Sequence, residues 1–189
     1  MNRQILIAGC AVLALSAAAC SKKADTTTAT PDANPAATVP TPADEAAAPD
    51  FATKAAISDM FEIAAGKIAL DRSTNPDVKA FAQMMIDAHG QTTADLKSAI
   101  AASGQSITLP MTLPQDKQDA LSDLQKADPK DFDKKYMDGQ VDAHQAALDL
   151  MARYAQDGTV PQIKDFAAKT GPVVQTHYDK AKAIRDALK

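Results

Sequence analysis

The stretch PDVKAFAQMMIDAHGQTTADLKSAIAASG, residues 76–104, decides the fold. Pro76 suits a first helical turn, and Gly104 suits the left-handed residue that ends a helix. Between them Val78, Phe81, Ala82, Met85, Leu96 and Ile100 share one helix face and form a stripe for burial. At about 100° per residue, His89 falls within about 20° of the Val78 and Leu96 direction, so an imidazole sits in the middle of that stripe.

The same periodicity extends over residues 51–189, with no sustained strand-type alternation. A first helix is expected over 51–72, with Ile57, Phe61, Ala64 and Ile68 inward. A short helix over 114–125 offers Leu121 and Leu124 for burial. A third long helix over 132–156 turns Met137, Val141, Leu148, Met151 and Ala155 inward. A fourth over 161–188 buries Ile163, Phe166, Val173, Ala181, Ile184 and Leu188, with a kink at Gly171-Pro172. Short connections at 73–75 and 158–160 make antiparallel neighbours. The expected fold is therefore all-α: an up-down-up-down four-helix bundle with a long crossover carrying the short helix. Parallels between Pro76 to Ala82 and Pro161 to Ala167 suggest a duplicated hairpin.

The chain has three histidines, and all of them fall on such stripes. His144 lies between Val141 and Leu148, and His177 lies near Thr170, Ala181 and Leu188. His144 and His177 are nearly equidistant from the 158–160 turn, an axial offset of about 3 Å at most at the helical rise. Across the first hairpin the residue expected to face His89 is Glu62, although it projects about 100° from the Ile57, Phe61 and Ile68 stripe. Two readings follow for Glu62, His89, His144 and His177. They make a mononuclear site for a divalent metal such as zinc, iron or copper, or the histidines form a metal-free hydrogen-bonded cluster with Glu62, Thr92, Thr170 or Gln140.

At the N-terminus Arg3 precedes an uncharged run that ends in Ala17-Ala18-Ala19-Cys20, a secretory signal over residues 1–19. The run resembles a bacterial lipobox, which implies that Cys20 is lipidated. Ile7-Ala8-Gly9-Cys10 also resembles one but leaves too short an apolar core before cleavage. Ser21 after Cys20 points to the outer membrane. Residues 20–50 are rich in Ala, Thr, Pro and Asp, with prolines up to Pro49 breaking any helix, so they read as a disordered tether. With Cys10 removed and Cys20 acylated, no thiol is left for a disulfide or a cysteine metal site.

Composition excludes other classes. The 24 acidic and 20 basic residues, without Trp, lack the footprint of a nucleic-acid binder. No phosphate loop or nucleophile elbow appears, and no catalytic residues are assigned. The methionines are dispersed at core spacing, as gap-fillers rather than copper ligands. Tyr136, Tyr154 and Tyr178 are expected at the bundle boundary with wet hydroxyls.

Phe81-Ala82-Gln83-Met84-Met85, the Asp87 and His89 pair, Phe132-Asp133-Lys134-Lys135-Tyr136-Met137, Gln140-Val141 with His144, and Phe166-Ala167-Ala168-Lys169-Thr170 together resemble one family pattern. It is domain of unknown function 4142, and the likeness covers the folded part, 51–189. The resemblance implies a ferritin-like four-helix bundle, often on exported outer-membrane lipoproteins, and no established activity. The chain departs from ferritin-type di-iron sites, which need Glu three residues before His, because Ile86, Val141 and Val174 stand there. The functional expectation is an envelope lipoprotein held to the membrane by its lipid, acting without catalysis as a stress-related or interaction module. An apolar face of Met60, Ile63 and Leu70 would meet a protein partner if Leu113, Leu121 and Leu124 leave it uncovered. The alternative is a metal-binding or redox protein.

Overall fold

The computed structural model describes residues 47–188. The expected signal segment, Cys10, Cys20 and most of the expected tether lie outside them. Five helices follow in order: α1 Ala48–Arg72, α2 Pro76–Ser103, α3 Gln115–Gln125, α4 Phe132–Asp157 and α5 Pro161–Ala187. Among the described residues no helix is long and apolar enough to cross a membrane.

Local chemistry sets the helix ends. The Asn75 side chain accepts from the Asp77 and Val78 N–H groups and caps α2. Gly104 closes it at φ 70°, a conformation that glycine adopts without a Cβ penalty. Pro49 does not break a helix as expected. It lies in the first turn of α1, where a missing N–H costs nothing, and α1 begins at Ala48. Helix α5 runs through Pro172 without interruption.

The four long helices pack in a ring in which α1 touches α2 and α4, and α5 touches α2 and α4. Two apolar clusters fill its ends. One gathers Phe51, Leu96, Tyr154, Ile163 and Phe166. The other gathers Ala69, Val78, Phe81, Phe132, Tyr136 and Ala181. The starts of α1 and α5 thus share one end with the finishes of α2 and α4. The direction order of the long helices is up, down, down, up, which corrects the expected up-down-up-down. The physical reason is the crossover: Ile107 and Leu109 pack on the first cluster and Leu121 and Ala127 on the second, so this segment travels the bundle's length. Arg72, at the finish of α1, fastens its far end. The guanidinium donates to the carbonyls of Leu124, Gln125 and Ala127 and stacks over the Phe132 ring.

Helix α1 buries a different face from the one its large residues suggest. Phe51, Ala52, Ala55, Ala56, Asp59, Glu62, Ala65, Gly66 and Ala69 are inward, whereas Ile57, Phe61, Ala64 and Ile68 are half-buried. The small residues permit close approach to α2. The larger ones lie under the crossover, where Phe61 carries the Lys117 ammonium 5.2 Å from its ring centre and Phe61, Ile68 and Leu70 pack beside the second cluster. Met60 and Ile63 are also half-buried. On α5, Val174 rather than the expected Val173 is buried, and Val173 is 47% exposed. The rings of Tyr136 and Tyr154 are buried instead of wet, because each fills an end cluster, and Tyr154 stacks on Phe51 at 4.1 Å.

Helix α1 comes close to α2 at Gly66, where an added Cβ would lie 2.9 Å from both the Ala82 carbonyl oxygen and Ile86 Cγ1. Backbone on one side leaves little room to yield. Gly66→Ala is expected to destabilise the bundle by about 1–2 kcal/mol, the overpacking cost exceeding the gain in helix propensity of about 1 kcal/mol. An unchanged or raised urea midpoint would show that the helices can move apart there at no cost.

Candidate metal centre

Between the two apolar clusters lies a layer of buried polar side chains: Asp59 and Glu62 from α1, His89 from α2, Gln140 and His144 from α4, and His177 from α5. Each long helix contributes near its midpoint. The three histidines are 6%, 2% and 7% exposed in chain order. Their ring centres are 5.8 Å apart for His89 and His144, 6.1 Å for His89 and His177, and 5.6 Å for His144 and His177.

One ring nitrogen from each histidine lies within 4.8 Å of the other two. A point therefore exists about 2.8 Å or less from all three, against roughly 2.0–2.1 Å for a zinc–imidazole bond. Closing on an ion requires each donor to move by less than about 1 Å, within reach of side-chain rotation. Among the described residues the three histidines form the group that could hold an ion, and Glu62, also expected in the set, is buried in the same layer.

Hydrogen bonds fix which nitrogens are available. His144 Nδ1 is 2.8 Å from the Gln140 carbonyl oxygen. A carbonyl only accepts, so Nδ1 carries the proton and Nε2 keeps a lone pair in the neutral ring. His89 Nδ1 donates to Asp59 Oδ1 at 2.8 Å, and Asp59 Oδ2 accepts from Thr93 Oγ1 at 2.9 Å. His89 Nε2, His144 Nε2 and His177 Nδ1 are buried and have no hydrogen-bond partner. A histidine oriented by a carboxylate or carbonyl on one nitrogen and free on the other is the usual arrangement of a metal ligand.

Glu62 sits one turn along α1 from Asp59. Its Oε2 accepts from Gln140 Nε2 at 2.6 Å, while its Oε1 is buried without a partner. Burial raises its pKa above the usual carboxylate range, opposed by the charge of His89 and the Gln140 hydrogen bond. Burial lowers His144 to about 4, helped by the positive potential of the other two histidines against its Gln140 bond. Burial also lowers His177 to about 4, reinforced by His89 and Lys180. For His89 the burial effect is outweighed by the Asp59 hydrogen bond and by the charges of Glu62 and Asp59, so its pKa is raised. Two of the three histidines are thus neutral imidazoles at pH 7, the form that can bind metal.

Asp59 is the functional residue that sequence reasoning missed. It and His89 are equidistant from Thr74, the middle of the α1–α2 turn, so the hairpin rule that singled out Glu62 favours Asp59 more strongly. Of the partners considered for a metal-free cluster, Gln140 alone bonds a histidine, through its backbone. Thr92 Oγ1 instead donates to the Ala88 carbonyl.

The fold and this layer define an all-helical bundle protein with a histidine cluster at its centre. The chain belongs to the family described as Domain of unknown function (DUF4142), whose profile matches residues 32–184. No curated protein and no solved structure matches the chain.

Proposed function

We propose that this protein is a metal-binding lipoprotein of the bacterial envelope, whose bundle holds one divalent ion on His89, His144 and His177. The observation that carries the reading is the convergence of three buried imidazoles, each with one unpartnered ring nitrogen. An all-nitrogen set on a rigid layer suits zinc or another borderline divalent ion. Glu62 Oε1, buried without a hydrogen-bond partner, is the candidate for an additional ligand. Among the described residues only two carboxylates, Asp59 and Glu62, are buried with the histidines, which argues against carboxylate-rich di-iron chemistry. The ion would supply Lewis acidity or, if iron or copper, electron transfer. The chain supplies three buried imidazole nitrogens, two of them on rings oriented by hydrogen bonds. A single long crossover between helical hairpins is the connectivity of ferritin-like bundles, which supports that relationship.

The test is elemental analysis of tag-free protein purified without chelators. Near one equivalent of metal is expected in the wild type and less than a tenth of that in His89→Ala and in His144→Ala. Metal-free wild type that also fails to retain zinc, iron or copper after incubation would end the proposal.

The same reading places the domain at the outer membrane facing the periplasm, on a lipidated Cys20 and a tether of roughly thirty residues. Labelling cells with a radioactive fatty acid is expected to mark the wild type and Cys10→Ser but not Cys20→Ser. Equal labelling of Cys20→Ser would exclude the anchor.

A further inference from the structure

The two sides of the histidine layer differ. Toward the α1–α2 turn, the next turn of each helix supplies Glu62, Met85, Gln140 and Ala181, all buried. Toward the other end, the next turn surrounds a cavity of about 20 Å³. Asp59, His89 and His177 line it, together with Ser58, Thr92 and Thr170 among the polar groups. A volume above roughly 10–15 Å³ accommodates one water-sized molecule. The protein therefore offers the Glu62 carboxylate on one side of the layer and, on the other, a small and mostly apolar chamber whose wall includes Asp59, Ser58, Thr92 and Thr170.

That chamber has a thin outer wall. Thr92, Thr170 and Val173 line it and also line a groove of about 640 Å³ between α2 and α5. Val173 faces both: it borders the inner cavity and is 47% exposed. The wall helix is weakened at this level, because Pro172 has no N–H to donate to the Ala168 carbonyl. Asp95, Asp165 and Lys169 lie farther out in the groove.

We infer that the three-histidine centre keeps a coordination position open on the chamber side for a small exogenous ligand, water or the terminal atom of a compact anion, reached from the α2–α5 groove. This inference rests on the proposed metal centre. A structural zinc site is closed by four protein ligands, whereas an open position marks a site that exchanges ligands. The size of the chamber sets the ligand class. Substrates larger than a few atoms stay in the groove, outside Thr92, Thr170 and Val173.

The experiment uses the full chain loaded with cobalt(II), whose visible absorption reports coordination, titrated with azide as the compact anion. One equivalent of histidine-dependent cobalt is expected, with a saturable spectral change on adding azide. Thr92→Ile, which fills the chamber, should retain cobalt and weaken azide binding at least tenfold. Val173→Phe, at an exposed position that tolerates bulk, should slow azide binding without changing cobalt stoichiometry. Cobalt bound through the histidines but indifferent to azide would overturn the open position and leave the metal centre standing. Azide binding that neither variant alters would overturn the groove-side chamber. No histidine-dependent cobalt would overturn the centre and the inference together.

Discussion

Zinc added to the metal-free protein is expected to raise its unfolding free energy by about 4 kcal/mol when free metal is about a thousand times the dissociation constant. For a domain of this size the melting temperature rises by about 10–15 °C. The effect is this large because the unfolded chain has three scattered histidines, whereas the folded chain has three donors that need little rearrangement. His144→Ala should abolish the shift. Without metal, the same substitution removes the Nδ1 hydrogen bond to the Gln140 carbonyl and leaves a cavity in the core, a loss of stability that is measured separately from the zinc shift. A metal-free structural cluster predicts no zinc effect in either protein. Asp59→Asn adds a finer test. An amide oxygen at position 59 still accepts from His89 Nδ1 but lacks the charge that supports ligand basicity, so zinc affinity should fall about 10–100-fold. Full zinc affinity in Asp59→Asn would mean that Asp59 does not orient a ligand.

Much of this centre was legible in the sequence because helical geometry is strict. His89, His144 and His177 each fall on an apolar stripe near a helix midpoint, and midpoints coincide whichever way neighbouring helices run. For that reason the histidine layer survived the correction of helix direction. The direction itself was not legible, since it depends on where the crossover is fastened, and the Arg72 contacts with the carbonyls of Leu124, Gln125 and Ala127 join groups remote in sequence. Asp59 was hidden for another reason. Helix α1 has large apolar residues on the side that meets α3 and alanines on the side that meets the core. Weighting residues by size selected Ile57 and Phe61 as inward, and a stripe set by those residues turns Asp59 away. The Ala52, Ala55, Ala56, Ala65 and Ala69 spacing was the available signal, because a helix that must pack closely buries its smallest face.

Lowering the pH from 7 to 5 is expected to destabilise the metal-free protein steeply, before the ordinary carboxylates titrate. His144 and His177 have folded values of about 4 against an ordinary value of 6.5. Below pH 6.5 the unfolded chain takes up protons at both while the folded chain does not, so stability falls with pH until about 4 and is fully present only above 6.5. Each group contributes up to about 1.4 kcal/mol per pH unit, hence up to about 2.7 kcal/mol per unit for the pair. Glu62 acts in the opposite sense. Its raised pKa lets the folded state hold a proton that the unfolded state has lost, so its contribution grows as pH falls through the folded value and opposes the slope set by the two histidines. His89 is raised, so its contribution is complete below 6.5 and is lost as pH rises through its folded value. Urea midpoints measured at half-unit intervals should therefore drop from pH 6.5 to 5, less steeply in His177→Gln and more steeply in Glu62→Gln. Equal midpoints at pH 7 and 5 would show that the two buried imidazoles accept protons in the folded state. Zinc connects this prediction to the first. A bound ion holds all three rings deprotonated at the coordinating nitrogen, so acid must displace it before the layer can charge, and the unfolding transition should move to lower pH as free zinc is raised.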